Sequence, residues 1–474
     1  MGDKALTGTI HDLIVVGGGL AGLTGALRAT ELGMRPLVLE QGEEERYPCN
    51  SRFSGGIFHI AYNEVKKPPD VLLAAIRTAT AGQAHEGVAR VLAENAGRLL
   101  DWLREHGARF ISVGAVEWEK WLLAPPRPLR PGLDWQGRGP DVLLRTLTDR
   151  LLKAGGMLER GVRATALEPA ADVIAVSGER SGAPSRWEGR TVLIADGGFQ
   201  ADADMFRAYL GSRPESVKQR GAATGRGDGA RMAVAAGAAL TQMNHFYGHL
   251  LAQECMTNEK LWPYPQLDQL AVAGIIVDRN GSRMFDEGVG GVALSNLLAR
   301  VDDPLCATII FDATIWDGPG RSARIPPNPN LEIGGGTIHR AATLDSLATQ
   351  LGIDSARLAE TVAAYNTALR DQRLHELCPP RRVAQHPAFP IVDGPFMGIR
   401  LCAGITYTMG GIAIDEHARV LRPDGSVIDR LYAAGATTGG VEGGGDTGGY
   451  VGGLSKAGIL GLCAAEHAAR RIAQ

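Results

Sequence analysis

The chain has 474 residues, of which 45% are hydrophobic and 21% are charged, enough for about two or three globular domains. Its formal net charge is −3 and no block rich in Lys or Arg occurs, which excludes nucleic acid as a partner. No apolar run reaches the roughly 18 residues of a membrane helix, and the first apolar segment lacks the features of a signal peptide. We therefore expect a cytoplasmic protein without an integral membrane segment.

Six cysteines are scattered through the chain without a Cys-x-x-Cys pair or a regular spacing. This pattern predicts neither a disulfide framework nor a metal site. The 63 glycines, by contrast, cluster near residues 17–22, 221–229, 334–336 and 435–453. Such clusters predict loops, because glycine marks turns and close approaches of the backbone.

The N-terminal segment DLIVVGGGLAGLTGALRATELGMRPLVLEQ, residues 12–41, contains a complete strand–turn–helix–strand pattern. Its apolar periodicity predicts a buried strand at residues 13–16, a helix at 20–33 and a second strand at 35–39. The segment therefore predicts the nucleotide-binding unit of an α/β fold rather than an isolated glycine motif.

Three glycines and one acid give this unit its chemistry. Gly17, Gly19 and Gly22 fit the spacing that allows a tight turn, an approach to a pyrophosphate and helix–strand packing. Glu40 ends the second strand, where a carboxylate accepts the hydroxyls of an adenosine ribose, which suits FAD or NAD and disfavours NADP. Charged, irregular residues follow at 42–47 instead of another βα repeat, and this favours FAD.

The next elements extend the same domain. Helical periodicity at residues 70–107 and again at 137–155 predicts helices that pack against the sheet. Strands are predicted at 162–167, 173–176 and 191–199, the last one carrying the sequence TVLIADGGF. Because that strand ends in a glycine turn, we expect its backbone to approach the cofactor.

A second glycine-rich loop opens at residues 221–237, GAATGRGDGARMAVAAG. Thr224, Gly225 and Asp228 precede a predicted helix, so we expect the loop to face FAD or the substrate rather than to form a simple surface turn. Prolines punctuate residues 243–391, which also contain one amphipathic helix at 354–370.

The C-terminal part returns to glycine loops. Residues 411–414 and 420–422 predict a hairpin, followed by a strand, a long glycine loop and a final helix that begins near Leu454. The positive end of that helix would face the electron-rich end of a reduced flavin. We therefore predict a first domain in two parts, 1–242 and 392–474, interrupted by a capping domain at 243–391.

The order of VVGGGLAGL, VLIADGGF, TGRGDGARMAVAAGA, VDRNGSRMFDE, GITYTMGGIAID and LYAAGATTGG resembles the fumarate reductase/succinate dehydrogenase flavoprotein superfamily over nearly the whole chain. The resemblance implies an α/β fold, with a Rossmann-like, glutathione-reductase-type FAD-binding domain interrupted by an α+β capping domain. It also implies an enzyme that adds or removes two hydrogens across a C–C bond next to an activating group. The segments GGYVGGLSKAGILG, RMFDEG and IPPNPN are most similar to the tricarballylate dehydrogenase branch.

The motifs and the resemblance together imply a set of FAD contacts. The loop NSRFSGG is similar to the loop that lies along the isoalloxazine, and it has no histidine where some relatives attach FAD covalently. We therefore expect non-covalent FAD, and a structural role for the nearby His59. The expected cofactor-binding residues are Gly17, Gly19, Leu20, Ala21, Gly22, Glu40, Gln41, Asn50, Ser51, Ser54, Gly55, Gly56, Val162, Ala195, Asp196, Gly197, Thr224, Gly225, Asp228, Gly435, Ala436, Gly453, Leu454 and Ser455.

Four residues are the predicted catalytic candidates. By resemblance, His245 occupies the position of a substrate-binding histidine, Tyr407 replaces a second one, and Glu287 matches an acidic position on the cap. Tyr407 is the first candidate for the base or the enolate-stabilising donor and Tyr450 the second, with His245 holding the activating oxygen. A tyrosinate near neutral pH requires a pKa lowered from about 10. The alternative for each residue is a structural role, such as a tyrosine that anchors a glycine turn.

The chain departs from soluble fumarate reductases at three arginine positions. Glu287 is followed by GVGGVALSN, FDATIW contains Trp316, and Asp446 stands in the glycine loop where those relatives carry an arginine. Arg321 and Arg324 are candidate substitutes, although loop arginines are usually only solvated. A strict fumarate reductase is therefore disfavoured.

The resulting expectation is a flavin dehydrogenase whose substrate is a small carboxylate or ketone and whose electrons pass to a separate acceptor. A ketone desaturase similar to 3-ketosteroid dehydrogenases is one alternative, favoured by the tyrosines and the replaced arginine positions and opposed by the lack of long aromatic-rich cap segments suited to a steroid. A fumarate-reductase-like ene-reductase is another. A non-catalytic FAD scaffold or electron-transfer subunit is opposed by the lack of iron–sulfur and haem motifs.

Overall fold

The computed structural model describes residues 9–113, 116–445 and 447–474. Its helices, numbered in chain order, are α1 Leu20–Glu31, α2 Asn50–Phe53, α3 Pro69–Ala79, α4 Glu86–Glu105, α5 Gly139–Lys153, α6 Ala203–Tyr209, α7 Asp228–Ala235, α8 Asp268–Ala273, α9 Gly291–Arg300, α10 Ala313–Asp317, α11 Pro327–Ile333, α12 Leu344–Leu351, α13 Ser355–Arg370 and α14 Gly453–Ile472. Its strands are β1 Ile10–Val16, β2 Pro36–Glu40, β3 Phe110–Ile111, β4 Leu122–Leu123, β5 Met157–Arg160, β6 Val162–Pro169, β7 Ile174–Arg180, β8 Ala183–Ile194, β9 Lys218–Gln219, β10 Leu240–Thr241, β11 Phe246–Ala252, β12 Ile275–Val277, β13 Thr308–Asp312, β14 His339–Ala341, β15 Phe396–Thr408, β16 Gly411–Ile412, β17 Arg419–Leu421 and β18 Val427–Ala433.

The first sheet has the order β17-β18-β8-β1-β2-β5. β1 pairs in parallel with β2 and β8, while β18 pairs in parallel with β8 and β5 with β2. β6 and β7 extend the sheet from β8 as an antiparallel meander. Because the parallel strands at its centre are buried on both faces, they read as continuous apolar runs in the sequence. The predicted α/β architecture is confirmed.

The first and last helices of this domain pack directly on each other. The approach depends on Gly461 in α14, since a Cβ atom there would lie 2.4 Å from the carbonyl oxygen of Ala21 in α1. A larger residue would push the two helices apart. The close packing brings the N-termini of both helices to the wall of one cavity, through Leu20 and Gly453.

The second sheet has the order β11-β15-β13-β12, with β9 and β14 also paired to β15. β15 is 13 residues long: its first part pairs with β13 and its second part with β11. The boundary predicted at residue 391 leaves β15 in the first domain, but its hydrogen bonds place it in this sheet. The apolar side chains of β15 pack in a core separate from that of the first sheet.

Two short strands lie side by side where the chain passes between the sheets. β10 precedes β11 on the way out, β16 follows β15 on the way back, and the two pair antiparallel. The predicted hairpin of residues 411–414 and 420–422 does not form as two paired strands, because β16 pairs with β10 and β17 pairs with β18. An isolated antiparallel bridge joins Ile414 to Val420 instead. In the described part of the chain, no helix is both long and apolar enough to cross a membrane.

Candidate active site

A cavity of about 980 Å³ lies between the two sheets and is lined by residues of both. Its volume is at the upper end of the range for ligand pockets, about 300–1,000 Å³, so it can hold a large cofactor beside a small substrate. Most of the predicted cofactor residues line it: Gly17, Gly19, Leu20, Ala21, Glu40, Gln41, Asn50, Ser51, Ser54, Gly55, Gly56, Val162, Ala195, Asp196, Gly197, Thr224, Gly225, Asp228, Gly435, Ala436, Gly453 and Leu454.

Two predicted cofactor residues lie behind this wall. A Cβ atom on Gly22 would lie 1.9 Å from the carbonyl oxygen of Gly17, so Gly22 allows α1 to pack against the turn after β1. Ser455 is buried in the first turn of α14, directly after Leu454, and does not line the cavity. Gly22 and Ser455 thus pack behind the residues that line the cavity and do not line it themselves.

The nucleotide end of the cavity is formed by the turn after β1 and the end of β2. Leu20 N–H, the first of α1, donates to Ser51 Oγ at 3.1 Å, and the N-cap Gly19 has no side chain to cap the N–H groups that follow, so this helix end suits phosphate oxygens. The Glu40 carboxylate accepts hydrogen bonds from the N–H groups of Gly18 and Gly42, each at 2.8 Å. Burial raises the pKa of Glu40, while these N–H donors lower it.

Hydrogen bonds of Asn50 hold the middle of the cavity together. Its Nδ2 donates to the carbonyl oxygen of Thr406 at the end of β15, and its Oδ1 accepts from Ala222 N–H. Asp196, which follows β8, accepts from Gly229 N–H through Oδ2, and a side-chain hydrogen bond with Thr437 also lowers its pKa. Its carboxylate lines the cavity and is therefore placed to contact a ligand.

The far end of the cavity meets the N-terminus of α14. Its N-cap, Gly452, has no side-chain cap, and the next residues, Gly453 and Leu454, line the cavity. Gly453 N–H donates to the Tyr450 oxygen, and the positive end of the helix suits the pyrimidine carbonyls of a flavin. Together with the carboxylates of Glu40 and Asp196, which also line the cavity, this set of groups fits FAD.

Tyr407 lies at this end, but its hydroxyl is already engaged. It donates to Glu442, with Oη 2.9 Å from Oε1 and 3.0 Å from Oε2. Lys456 Nζ lies 2.5 Å from the same carboxylate, and all three side chains are buried. Burial and the Glu442 charge raise the pKa of Tyr407, which is the opposite of what the predicted base requires.

Tyr450 and Tyr247 form a stacked pair beside Tyr407. Their ring centroids are 3.9 Å apart at an interplanar angle of 17°. The Tyr450 oxygen accepts a 3.4 Å hydrogen bond from Gly453 N–H, and a side-chain hydrogen bond with Tyr450 lowers the pKa of Tyr247. Among the described residues its hydroxyl faces a neighbouring tyrosine rather than a carboxylate, so its proton can turn to a ligand in the cavity, whereas the proton of Tyr407 is held by Glu442.

Behind Tyr247 lies a histidine–aspartate pair that lines the same cavity. His249 Nε2 is 2.9 Å from the Tyr247 hydroxyl, and His249 Nδ1 is 2.5 Å from Asp268 Oδ2. The other oxygen of Asp268 accepts from Leu250 N–H at 2.8 Å. Burial, with the nearby Arg220, lowers the pKa of His249, while Asp268 raises it.

Two buried guanidinium groups complete the wall. Arg220 donates to Thr406 Oγ1 at 2.6 Å and to the carbonyl oxygen of Pro263 at 3.1 Å, and Arg127 donates to the carbonyl oxygen of Phe53. Neither forms an ion pair with a carboxylate of the described residues, although both are more than 90% buried. Buried charges are usually paired, so this wall suits an anionic ligand.

His245 and Glu287 do not line the cavity. His245 precedes β11, and its Nδ1 contacts Asn244 Oδ1 at 2.9 Å. Glu287 is fully buried in the second core, between Arg283 Nη2 at 3.0 Å and Arg381 Nε at 3.8 Å. Neither side chain lies at the cavity wall, and the roles that the resemblance implies for them stay predictions.

The expected arginine substitutes have different surroundings. Arg321 is exposed and pairs with Asp317 at 2.9 Å, whereas Arg324 lines the cavity. Trp316 packs on Phe311 in the second core. The Asp446 position lies outside the described residues.

Five residues of this region were not predicted from the sequence: Tyr247, His249, Asp268 and Arg220, which line the cavity, and Glu442, which holds Tyr407. A signal existed for two of them, since Tyr247 and His249 are two residues apart in a strand and such residues share a face. For the others no local spacing was available, because the packing of distant segments brings each of them to its place. Among the described residues, no group of His, Cys, Asp and Glu could hold a metal ion.

Comparison with known proteins agrees with this geometry. The family model described as FAD binding domain matches residues 12–450. The chain is 27% identical over 454 residues to NADH:fumarate oxidoreductase of Klebsiella pneumoniae (strain 342), covering 92% of this chain and 45% of that protein. The chain thus spans less than half the length of that relative.

A relative of more similar length is 4-oxocyclohexanecarboxylate 2-dehydrogenase of Sinomonas cyclohexanicum, 25% identical over 521 residues that cover 90% of this chain and 88% of that protein. Among solved structures, 3-ketosteroid-Δ4-(5α)-dehydrogenase from Rhodococcus jostii RHA1 has a TM-score of 0.74 at 20% identity, with 98% of each chain covered. This likeness shows a shared fold. The chain belongs to the FAD binding domain family, within the fumarate reductase/succinate dehydrogenase flavoprotein superfamily that its motifs resemble, and its cofactor is FAD.

Proposed function

We propose that the protein is an FAD-dependent oxidoreductase that removes or adds two hydrogens across a C–C bond next to a carbonyl or carboxylate group. One observation carries this proposal. The cavity that begins at Glu40 continues to Tyr450, Tyr247 and His249, so the cofactor residues and the proton-handling residues share one space. Tricarballylate is the first acid to test, because of the short motifs similar to that branch.

Bound FAD supplies the acceptor or donor of a hydride in this chemistry. The chain supplies the rest of the environment. Tyr450 donates a hydrogen bond to the activating oxygen of the substrate, which stabilises the negative charge that develops there. The stacked ring of Tyr247 holds Tyr450 in place, and the positive end of α14 stabilises negative charge at the same end of the cavity.

The two buried arginines support a carboxylate substrate. Arg127 and Arg220 have no carboxylate partner in the described part of the chain, and both line the cavity. A substrate carboxylate would neutralise this wall and restore the pairing that buried charges require. Arg220 also lies close to Tyr247 and Asp268. Its charge lowers the pKa of Tyr247, and the charge of Asp268 raises the pKa of Arg220.

A ketone desaturase is the second candidate, and the tyrosine wall favours it. Tyr62 stacks on His59 with ring centroids 5.1 Å apart, and Trp118 and Tyr450 meet the same pair edge-on. These aromatic rings line the cavity. The Sinomonas relative is named for a substrate that carries both a ring ketone and a carboxylate, the two groups that Tyr450 and Arg220 are suited to bind.

Anaerobic flavin reduction tests the proposal. The purified holoenzyme is mixed with tricarballylate, 4-oxocyclohexanecarboxylate or 4-androstene-3,17-dione, and bleaching of the flavin absorbance is followed. Bleaching by the carboxylates, with an affinity that falls about 10–100-fold in Arg220→Met, supports the carboxylate assignment, since hydrogen bonds to a charged group contribute roughly 1.5–3 kcal/mol. If only the uncharged ketone bleaches the flavin, and does so equally in the wild type and in Arg220→Met, the protein is a ketone desaturase.

Absence of bleaching by every probe, together with no reoxidation of the reduced flavin by the matching unsaturated compounds, would contradict the proposed function. Release of the flavin into the supernatant on acid precipitation tests the expected non-covalent attachment. The proposal also includes a cytoplasmic location and a separate electron acceptor, because turnover in the dehydrogenation direction requires the flavin to be reoxidised. Cell fractionation and turnover assays with soluble dyes or quinones test these two parts.

A further inference from the structure

Tyr247, His249 and Asp268 form a connected chain of hydrogen bonds at the cavity wall. Tyr247 and His249 lie on β11, and Asp268 is the first residue of α8. The two contacts of His249 measure 2.9 Å to the Tyr247 hydroxyl and 2.5 Å to Asp268 Oδ2. All three side chains line the cavity, so the chain begins where a substrate would lie.

The hydrogen-bond pattern sets the tautomer of His249. Asp268 is held in place because its Oδ1 accepts from Leu250 N–H. Its Oδ2 then accepts the proton of His249 Nδ1, since a carboxylate can only accept. His249 Nε2 is left as the acceptor for the Tyr247 hydroxyl.

We propose that His249, oriented by Asp268, accepts the hydroxyl proton of Tyr247 while the Tyr247 oxygen removes a proton from the substrate carbon next to the activating group. This inference rests on the proposed function and names the base for it. His249 and Asp268 act through Tyr247, so they are positioning residues, and Tyr247 is the catalytic residue.

The step balances in atoms and electrons. The α C–H bond breaks, its proton forms a new bond to Tyr247 Oη, and the former hydroxyl proton moves to His249 Nε2. The electron pair of the broken bond moves first onto the activating oxygen, where Tyr450 holds the resulting enolate, and then forms the second bond of the new C=C when the β carbon gives up a hydride to FAD. The substrate is oxidised by two electrons, FAD is reduced by two, and an imidazolium–carboxylate pair remains in the wall.

The proton has to leave Tyr247 as the substrate proton arrives, because burial raises the pKa of Tyr247 and a free tyrosinate is disfavoured, although Arg220 opposes that effect. Burial and Arg220 lower the pKa of His249, which keeps its Nε2 without a proton before the substrate reacts. Two further titratable groups lie close enough to Asp268 for its charge to raise their pKa, His386 and Tyr62, and both also line the cavity.

The assignment differs from a merely structural triad in one respect: His249 must gain a proton. His249→Gln separates the two roles, because the amide can still donate to Asp268 and accept from Tyr247 but cannot titrate. His339→Gln is the matched control, since His339 lies on β14 in the same sheet and does not line the cavity. Both variants are studied as holoenzymes.

Exchange of substrate hydrogen with solvent is the first readout. The holoenzyme is incubated in D₂O with tricarballylate or 4-oxocyclohexanecarboxylate, and loss of the α-proton signal is followed by NMR. We expect exchange to fall about 100-fold or more in His249→Gln, within the range for general acid–base catalysis, and to be unchanged in His339→Gln. The acid limb of the pH profile of flavin reduction should be present in the wild type and absent in His249→Gln.

A second readout needs no substrate. In ¹⁵N-labelled holoenzyme, His249 should show a strongly downfield Nδ1 proton and an unprotonated Nε2 at pH 7, and the downfield proton should be lost in Asp268→Asn. A protonated Nε2 at pH 7 would overturn the relay whatever the substrate.

The same measurements distinguish a failure of this inference from a failure of the proposed function. If the wild type exchanges and is reduced by a probe but His249→Gln matches it in rate and pH profile, the relay is wrong and the function stands. If the wild type neither exchanges nor is reduced by any probe, the proposed function is contradicted and the relay step falls with it.

Discussion

The Tyr407 hydroxyl donates its proton to the carboxylate of Glu442, which lies 2.9 Å away. The same carboxylate accepts from the N–H groups of Val451 and Gly452 and is paired with Lys456. A tyrosine hydroxyl has one proton, so Tyr407 cannot at the same time stabilise an enolate. This arrangement makes Tyr407 an anchor for the glycine loop that leads into α14.

We predict that Tyr407→Phe leaves flavin reduction nearly unchanged, whereas Tyr450→Phe slows it about 100-fold or more, the usual cost of removing a donor to a developing oxyanion. Tyr407→Phe should instead lower the free energy of unfolding by about 1 kcal/mol, because Glu442 loses one of several donors. Stopped-flow reduction and denaturant unfolding measure the two effects. Equal slowing in both variants would restore Tyr407 as the catalytic candidate.

Glu40 provides a prediction for the cofactor. Its carboxylate orders the turn after β1 through Gly18 N–H and lines the cavity at the ribose end. We expect Glu40→Gln to weaken FAD binding about 10–100-fold, since hydrogen bonds to a charged acceptor contribute roughly 1.5–3 kcal/mol. Glu43→Gln is the control, because Glu43 is exposed nearby. Fluorescence titration of the flavin-free proteins gives the dissociation constants, and equal affinities would contradict the ribose contact.

Glu287 should affect stability rather than chemistry. Glu287→Gln leaves the guanidinium groups of Arg283 and Arg381 in the second core without their carboxylate, and breaking a buried pair costs about 3–5 kcal/mol. The matched control is Glu332→Gln, which removes an exposed pair with Arg340 worth about 0–1 kcal/mol. Denaturant unfolding measures both. A loss of flavin reduction in folded Glu287→Gln, with little change in stability, would favour the role implied by the resemblance.

Local spacing explains why the nucleotide end of the cavity was predictable from the sequence. Gly17, Gly19 and Glu40 belong to one short strand–turn–helix–strand unit, in which each position has a single physical purpose. The sheet order also follows from such units, because parallel strands need crossover connections. These features depend on neighbours in the sequence, and the structure places all three residues at the cavity.

The substrate end depends instead on distant segments. Asp268 meets His249 because α8 packs on β11, and Glu442 meets Tyr407 because the glycine loop folds back on β15. No spacing in the sequence encodes these contacts. The resemblance selected His245, whereas the cavity is lined by His249 four residues later, beyond a register shift in β11 after Tyr247.

The stability of the flavin-free protein should depend on pH through Asp196. Burial raises the pKa of Asp196 to about 6, and the hydrogen bond from Gly229 N–H opposes this effect. The native state therefore binds this proton more tightly than the unfolded chain, whose aspartates titrate near 3.9. Between these two values the unfolding free energy falls as the pH rises, and the full cost is present above pH 6.

Asp196→Asn removes this charge while its amide oxygen can still accept from Gly229 N–H. We expect the variant to be more stable than the wild type by on the order of 3 kcal/mol at pH 7 and equal to it near pH 4, from a shift of about two pKa units. Denaturant unfolding of both flavin-free proteins at several pH values measures the difference. A difference that is constant with pH would mean that the Asp196 carboxylate is not held ionised in a buried wall.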